Sequence, residues 1–317
     1  MTISVVCPVY NEEKHIEALL NFYSSSKPVL KELFLVDGGS TDQTREIINK
    51  HIVQGSSIVL LENPKKFVPF ALNIAIPFCK GEYIVRLDAH TKYKYDYFEK
   101  ILNAFQESNA SIVGGPMRAI GESHFQQAVA YATATGFGVG NSQFHFENYK
   151  GFTDSVYLGA WRRDIFNTLG LFDERMIRNQ DDEFHYRAKS VGLKIYQDPA
   201  ITSYYYPRDS LQKLAWQYFE YGLYKPLVLS KIKSEIKGRH IIPSLFVLYL
   251  FSLPIGLMIT VLYGIPMMMY GVCMILFSFF NRHDLISKLS CLLIYPTLHI
   301  SYGFGFLKGL FKRSGIP

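Results

Sequence analysis

Three short polar clusters in this sequence have the residue types and spacing to do chemistry. In Arg86-Leu87-Asp88-Ala89-His90 a carboxylate and an imidazole stand two residues apart at the end of an apolar run. Both can turn toward one pocket where a strand gives way to a loop. A hard divalent cation (Mg2+ or Mn2+) held there by Asp88 and His90 would leave positions for the oxygens of a diphosphate, and neutralising such a leaving group would be its task. Asp37-Gly38-Gly39-Ser40-Thr41-Asp42 can receive a nucleotide: Asp37 is an acceptor for the imide N–H of a uracil, Gly38 and Gly39 admit a ligand to the backbone, and Ser40 or Thr41 can cap the following helix. The same string is good turn chemistry anywhere, and it is not the GxGxxG dinucleotide pattern. The third cluster, Asn179 to Arg187, sets Asp181, Asp182 and Glu183 in a first helical turn. The helix dipole keeps such carboxylates ionised, the state a general base requires, and it also stabilises them with no catalytic role. Asp181 and His185 are four residues apart and share one helix face, with His185 reading as a structural or acceptor-side residue.

These clusters need a scaffold that gathers them. Short apolar runs alternate with amphipathic stretches: Ile3 to Val9, Glu32 to Val36, Ile58 to Leu61 and Tyr83 to Leu87 as strands, with helices over Glu12 to Tyr23, Asp42 to Val53, Pro69 to Phe78 and Tyr95 to Phe105. That order predicts an α/β fold, a parallel sheet with helices on both faces. Pro8-Val9-Tyr10-Asn11-Glu12-Glu13, Asp37 and Asp88 then fall at the carboxyl ends of neighbouring strands, the edge where such sheets bind ligands. Past Ile112 to Gly114 the order is less regular, with a small-residue helix near Gln126 to Thr135, and this stretch reads as the acceptor half.

From Ile241 to Phe280 the chain carries no charged residue. That is long enough for two spans of about 20 residues each, placed at about 241–262 and 264–280, with a buried helical hairpin of a soluble protein as the alternative. The apolar segment 289–307 has basic residues on both sides, which favours an in-plane or re-entrant segment over a third crossing. Lys231, Lys233, Lys237, Arg239 and His240 precede the apolar tail, and Lys308, Lys312 and Arg313 end it; such flanks face cytoplasm and anionic lipid. A nucleic-acid partner does not fit this basic run, which abuts an apolar segment and lacks a recognisable binding motif. The expected organisation is a head over 1–225, a basic interfacial linker over 226–240 and a membrane region over 241–317. Cys7, Cys79, Cys273 and Cys291 form no CxxC pair, which argues against a disulfide framework or a zinc site. The start, MTISVVCPVY, lacks a basic and then apolar leader, so the head is expected to stay in the cytosol.

Taken together and in order, PVYNEE, VDGGSTDQT, LNIAIPFCKGEYIVRLDAH, GLFDE and NQDDEFHYR resemble the family 2 glycosyltransferases of the GT-A (Rossmann-like) fold over about Ile3 to Tyr224. RLDAH, VGGPM, RNQDDE and QYFEYG are most similar to its succinoglycan-biosynthesis, ExoA-type branch. The resemblance implies an inverting hexose transfer from a UDP-sugar to a polyprenyl-diphosphate-linked glycan at the cell (inner) membrane. It implies that Pro8, Tyr10, Glu12, Asp37, Gly39 and Asp88 line the nucleotide with Lys66 near the base, and that His90 fills the last position of the metal-binding DxD, where most members have Asp. Asp181 becomes the catalytic base, Gln180 standing where the family has Glu, with Asp182 as the alternative. The processive Q-x-x-R-W motif is here Gln217-Tyr218-Phe219-Glu220-Tyr221, which implies one sugar added per acceptor, with Gln217 and Arg208 on the acceptor side.

Overall fold

The computed structural model describes residues 2–52, 57–232, 236–281 and 283–311. Val53, Lys233, Lys312 and Arg313, which enter the helix and basic-flank expectations, lie outside the described residues. The chain divides into two compact units, Met1–Arg118 with Phe146–Tyr205, and Ala119–His145 with Tyr206–Pro317.

The first unit runs β1 (Ile3–Val9), α1 (Ile16–Ser25), β2 (Lys31–Asp37), α2 (Thr44–His51), β3 (Ile58–Glu62), α3 (Val68–Ala75), β4 (Tyr83–Arg86), β5 (Lys92–Tyr93), α4 (Tyr97–Ser108) and β6 (Ile112–Gly115). The chain leaves through β7 (Arg118–Ala119) and returns for β8 (Gly151–Phe152), β9 (Tyr157–Arg162), α7 (Ile165–Leu169), α8 (Gln180–Ser190), β10 (Ile195–Gln197) and β11 (Ser203–Tyr205). Eight strands make one sheet in the order β3-β2-β1-β4-β9-β6-β10-β8. β1 to β4 are mutually parallel, and their register sets Val9 opposite Asp37 and Val6 opposite Arg86.

Strand alternation divides the apolar residues between two faces. Val5, Cys7, Leu33, Leu35 and Val85 pack under α1 and α4, where Ile16, Leu20, Phe98 and Ile101 are buried. Val6, Phe34, Val36, Ile84 and Trp161 pack under α3 and α8, against Leu72, Phe184 and Ala188. The sheet departs from the all-parallel expectation at β8, antiparallel to β10, and at β9, which runs antiparallel between β4 and β6, pairing Ile84 and Ile112 with Trp161. The chain leaves the unit past the carboxyl end of β6 and returns through β8, and both returning strands, β8 and β9, run opposite to β6. The direction of α8 follows. It feeds β10, which is parallel to β6, so the amino end of α8, with Asp181 and Asp182, lies at the carboxyl edge of the parallel strands.

The second unit is helical: α5 (His124–Thr133), α6 (Gly136–Val139), α9 (Leu211–Lys231), α10 (Gly238–Ile259), α11 (Ile265–Phe279) and α12 (Leu285–Gly309). Ser123 caps α5, its hydroxyl accepting from the Gln126 N–H while the Gln126 side chain reaches back, a capping box. Ala128 and Ala132 of α5, Leu214 of α9, and Cys291, Ile294, Tyr295 and Leu298 of α12 form its core. α9 and α12 meet backbone to backbone: a Cβ on Gly222 would stand 2.1 Å from the Tyr302 carbonyl oxygen, and one on Gly305 2.0 Å from that of Phe219. Among the described residues Gly238–Ile259, Val261–Phe279 and Leu285–Gly309 are long and apolar enough to cross a membrane. The first two carry the spans read at about 241–262 and 264–280. α12 carries segment 289–307 within one continuous helix of 25 residues, roughly 37 Å at 1.5 Å per residue.

Candidate active site

Backbone and side-chain hydrogen bonds tie together the loops that follow β1 and β2. Asn11, in the left-handed region at φ 54°, accepts from the Thr41 N–H at 2.9 Å and donates its own N–H to Ser40 Oγ at 2.9 Å. The Glu12 N–H donates to Thr44 Oγ1 at 2.7 Å, and the Glu13 N–H to Asp42 Oδ2 at 3.1 Å. The expectation gives Asp37 to a uracil imide. In the structure Asp37 is 0% exposed. It accepts from the N–H groups of Gly39 and Ser40, from Ser40 Oγ at 2.5 Å and from Arg45 Nη1 at 2.9 Å. Its carboxylate points into its own loop because Gly39, at φ +79°, folds the following N–H groups back over it. Arg45 also pairs with Glu62; that hydrogen bond first, with the charges of Glu62 and Asp37, raises its pKa against the opposing effect of burial.

Tyr10 stands beside this loop, 44% exposed. Lys66 Nζ lies 5.0 Å from its ring centroid, and Lys66 is itself at φ 66°. A Cβ on Gly38 would come within 3.3 Å of the Tyr10 ring and 3.4 Å of Lys66 Cα. An open aromatic face, a cation and a bare backbone together suit a flat heterocycle and its charged substituent. Pro8 is half-buried within β1, opposite Val36.

The second group is built on β4. Ile84 and Arg86 share the face under α8, so Arg86 continues a buried apolar row with a guanidinium. Arg86 Nε and Nη2 donate to Asp88 Oδ1 at 3.1 and 3.0 Å, and Nη2 reaches Oδ2 at 3.2 Å. Burial opposes the charge of Arg86, but the carboxylates of Asp88 and then Asp181 outweigh it and raise its pKa above the ordinary arginine value. The charges of Asp88 and Asp181, far apart in sequence, thus both act on one cation. Burial first, with the Asp88 charge contributing, raises the pKa of the Tyr93 and Tyr157 phenols, so both stay neutral around it. Tyr93 also clasps the Asp88 backbone, its hydroxyl accepting from the N–H at 2.8 Å and donating to the carbonyl at 3.1 Å. Glu12 Oε1 meets His90 Nδ1 at 2.9 Å, joining the β1 loop to the β4 loop.

On α8 the Asp182 N–H donates to Asp181 Oδ1 at 3.0 Å, and both carboxylates are half-buried. His185 is fully buried, its Nδ1 2.8 Å from Ser155 Oγ, which also reaches Asp182 Oδ1 at 3.4 Å. Burial lowers the His185 pKa to about 4, Asp182 opposing and Arg86 reinforcing the shift. Glu183, 2% exposed, pairs with Arg187 at 3.0 Å, and Arg187 also donates to the carbonyls of Leu169 and Leu171, which pins the preceding loop to α8. The unit therefore brings Glu12, Asp88, His90, Asp181 and Asp182 to one edge of the sheet, with Asp37 at the same edge on β2, next to β1 and two strands from β4. Arg45, Ser155 and Tyr93 escaped the sequence reading, and Arg86 was named in its cluster without a role, although an arginine ending a buried apolar strand is a signal for one. In the second unit Gln217 is half-buried and donates to the Tyr221 hydroxyl at 2.9 Å, and Arg208 is exposed just before α9.

As to a metal, no group of three or more His, Cys, Asp or Glu among the described residues is arranged to hold one. Asp88 and His90, one hard oxygen donor and one imidazole from a single turn, fit an ion that takes most of its ligands from a diphosphate, and they do not make a protein-only cage.

The Glycosyl transferase family 2 model matches residues 4–170. The succinoglycan biosynthesis protein ExoA of Rhizobium meliloti is 34% identical over 221 residues, 69% of this chain and 67% of that protein. A Methanococcus voltae dolichyl N-acetyl-alpha-D-glucosaminyl phosphate 3-beta-D-2,3-diacetamido-2,3-dideoxy-beta-D-glucuronosyltransferase is 28% identical over 98% of this chain and 97% of its own length. Among solved structures, the mannosyltransferase PcManGT of Pyrobaculum calidifontis, in complex with GDP-Man and Mn2+, superposes over 98% of this chain and 87% of its own with a TM-score of 0.64 at 16% identity.

Proposed function

Because this chain belongs to glycosyl transferase family 2, with a GT-A fold, we propose that it moves a hexose, with inversion, from a nucleoside diphosphate sugar to a polyprenyl-diphosphate-linked glycan. The observation that carries this reading is the Arg86–Asp88 ion pair at the carboxyl edge of the sheet, with Asp181, at the amino end of α8 on the same edge, close enough for its charge to act on Arg86. Asp88 would stand on the donor side and Asp181 on the acceptor side. The Asp181 carboxylate takes the proton of an acceptor hydroxyl, whose oxygen then forms a bond to the anomeric carbon. The bond from that carbon to the diphosphate oxygen breaks on the opposite face, and the electron pair leaves with the diphosphate. Asp182 is the alternative base, although its link to Ser155 and the buried His185 favours a supporting role.

Tyr10 with Lys66 and Gly38 would stack the base, Asp37 would hold the Gly39 to Thr41 loop in shape with Arg45, and Pro8 and Glu12 would complete the wall. A divalent cation, when bound by Asp88 and His90, supplies charge neutralisation for the departing diphosphate. UDP-sugars are the first donors to test, and GDP-sugars, the donor class bound in the Pyrobaculum structure, the second. The name of the Methanococcus relative favours a second acceptor reading, a lipid monophosphate or its monosaccharide derivative. The ExoA relative supports exopolysaccharide or other surface-glycan biosynthesis.

The head 1–225 is proposed to work on the cytoplasmic side, joined by the basic 226–240 linker to membrane helices, with Gln217 and Arg208 toward the acceptor. Transfer of radiolabelled sugar from a UDP- and GDP-sugar panel into membranes bearing the native lipid acceptor tests all of this. Asp181→Asn should abolish transfer while retaining nucleotide binding. Unchanged turnover removes Asp181 as the base, and absence of transfer with every donor and metal would favour a non-catalytic nucleotide-sugar sensor.

A further inference from the structure

The carboxylate proposed to hold the cation is already engaged by a cation of the protein. Asp88 receives the Arg86 guanidinium through three contacts of 3.0 to 3.2 Å, one or more on each oxygen. Arg86 cannot swing away to free it: its side chain is 11% exposed, fixed by strand alternation on the face under α8, and Asp181 and the buried His185 lie within its field. A cation reaching Asp88 alone would therefore share one carboxylate with a fixed positive charge. A nucleoside diphosphate, arriving with two or more negative charges, compensates both cations together.

We infer that Arg86 makes divalent-cation binding at Asp88 conditional on a nucleoside diphosphate, so that the two ligands enter as a coupled pair. The inference rests on the reading of Asp88 as the cation's protein ligand. A neighbouring charge within about 4–6 Å changes ionic affinities at a protein site by roughly tenfold or more. By linkage, Arg86 should then enlarge by the same factor the coupling between metal and nucleotide.

The test titrates full-length protein in detergent with MnCl2, reading free Mn2+ by electron paramagnetic resonance, alone and with saturating UDP or GDP. Arg86→Gln keeps an N–H donor for Asp88 but removes the charge; Arg86→Lys keeps the charge. In Arg86→Gln, Mn2+ alone should bind at least about tenfold tighter and the gain on adding nucleotide should shrink by the same factor; Arg86→Lys should keep the wild-type coupling. A general loosening of the site would weaken Mn2+ binding instead, the opposite sign. Weaker or unchanged Mn2+ binding in Arg86→Gln, or coupling lost in Arg86→Lys, overturns the role of Arg86 while leaving Asp88 as ligand. Should Arg86→Gln fail to fold, Arg86→Met, uncharged and of similar length, is titrated in its place with the same expected sign and the same overturning results. If Asp88→Asn binds Mn2+ with nucleotide as wild type does, the reading of Asp88 falls, and this inference with it.

Discussion

Lowering the pH from 7 to 5 should destabilise the first unit through His185. The side chain is fully buried among β-sheet and α8 residues and held neutral, its pKa lowered from 6.5 to about 4 by burial first, with Asp182 opposing and Arg86 reinforcing. In the unfolded chain the same imidazole takes a proton near 6.5. Between those values the unfolded state binds more protons than the native one, so stability rises with pH there. The contribution is complete above about pH 6.5 and is lost as pH falls toward about 4. At 1.36 kcal/mol per unit, the loss between pH 7 and pH 5 is roughly 2 kcal/mol, and between pH 7 and pH 4 roughly 3 kcal/mol. For a domain of this size the former is a Tm decrease of about 4–8 °C. The assay is thermal unfolding of detergent-solubilised protein at the two pH values, wild type against His185→Asn. The variant is less stable at pH 7, having lost shape and the Ser155 contact, but its Tm difference between the two pH values should be smaller by that amount. An equal pH dependence in both proteins would refute the assignment of a buried neutral imidazole.

Arg187→Met should lower stability by about 3 kcal/mol, because it strips the buried Glu183 of its partner and frees the Leu169 and Leu171 carbonyls; adding Glu183→Leu should recover part of the Tm. Tyr10→Ala removes an exposed ring, so Tm should hardly move while nucleotide affinity falls by about 1–3 kcal/mol, read by calorimetric titration with UDP and GDP. Gly222→Leu drives a side chain into the Tyr302 backbone and should abolish recovery of monodisperse protein, whereas Gly271→Ala, with nothing within 4 Å of its Cβ, should purify as wild type.

Much of this architecture is written locally. The runs Ile3 to Val9, Glu32 to Val36 and Tyr83 to Leu87 read as strands because apolar residues crowd them on both faces, and β1, β2 and β4 lie there. PVYNEE, DGGSTD and RLDAH read as strand-end loops because turn residues and acids follow those runs, and register alone then brings Val9 beside Asp37. The long apolar helices are legible for the same reason: lack of charge over a long stretch is a property of consecutive residues. β9 was not legible as a strand partner, since Tyr157–Arg162 is buried with no polar alternation and its direction depends on where the chain re-enters.

The three clusters, their residue types and the strands and helices that bear them were determined by the sequence itself, through periodicities and turn chemistry acting over a few residues. Only the tertiary structure decided that Asp37 turns inward to Arg45, that His185 is buried against Ser155, and that Arg86 pairs with Asp88 and feels the charge of Asp181. Those outcomes depend on which strand lies next to which and on which face α8 covers, and charge pairing across such distances follows spatial separation, which spacing along the chain does not encode.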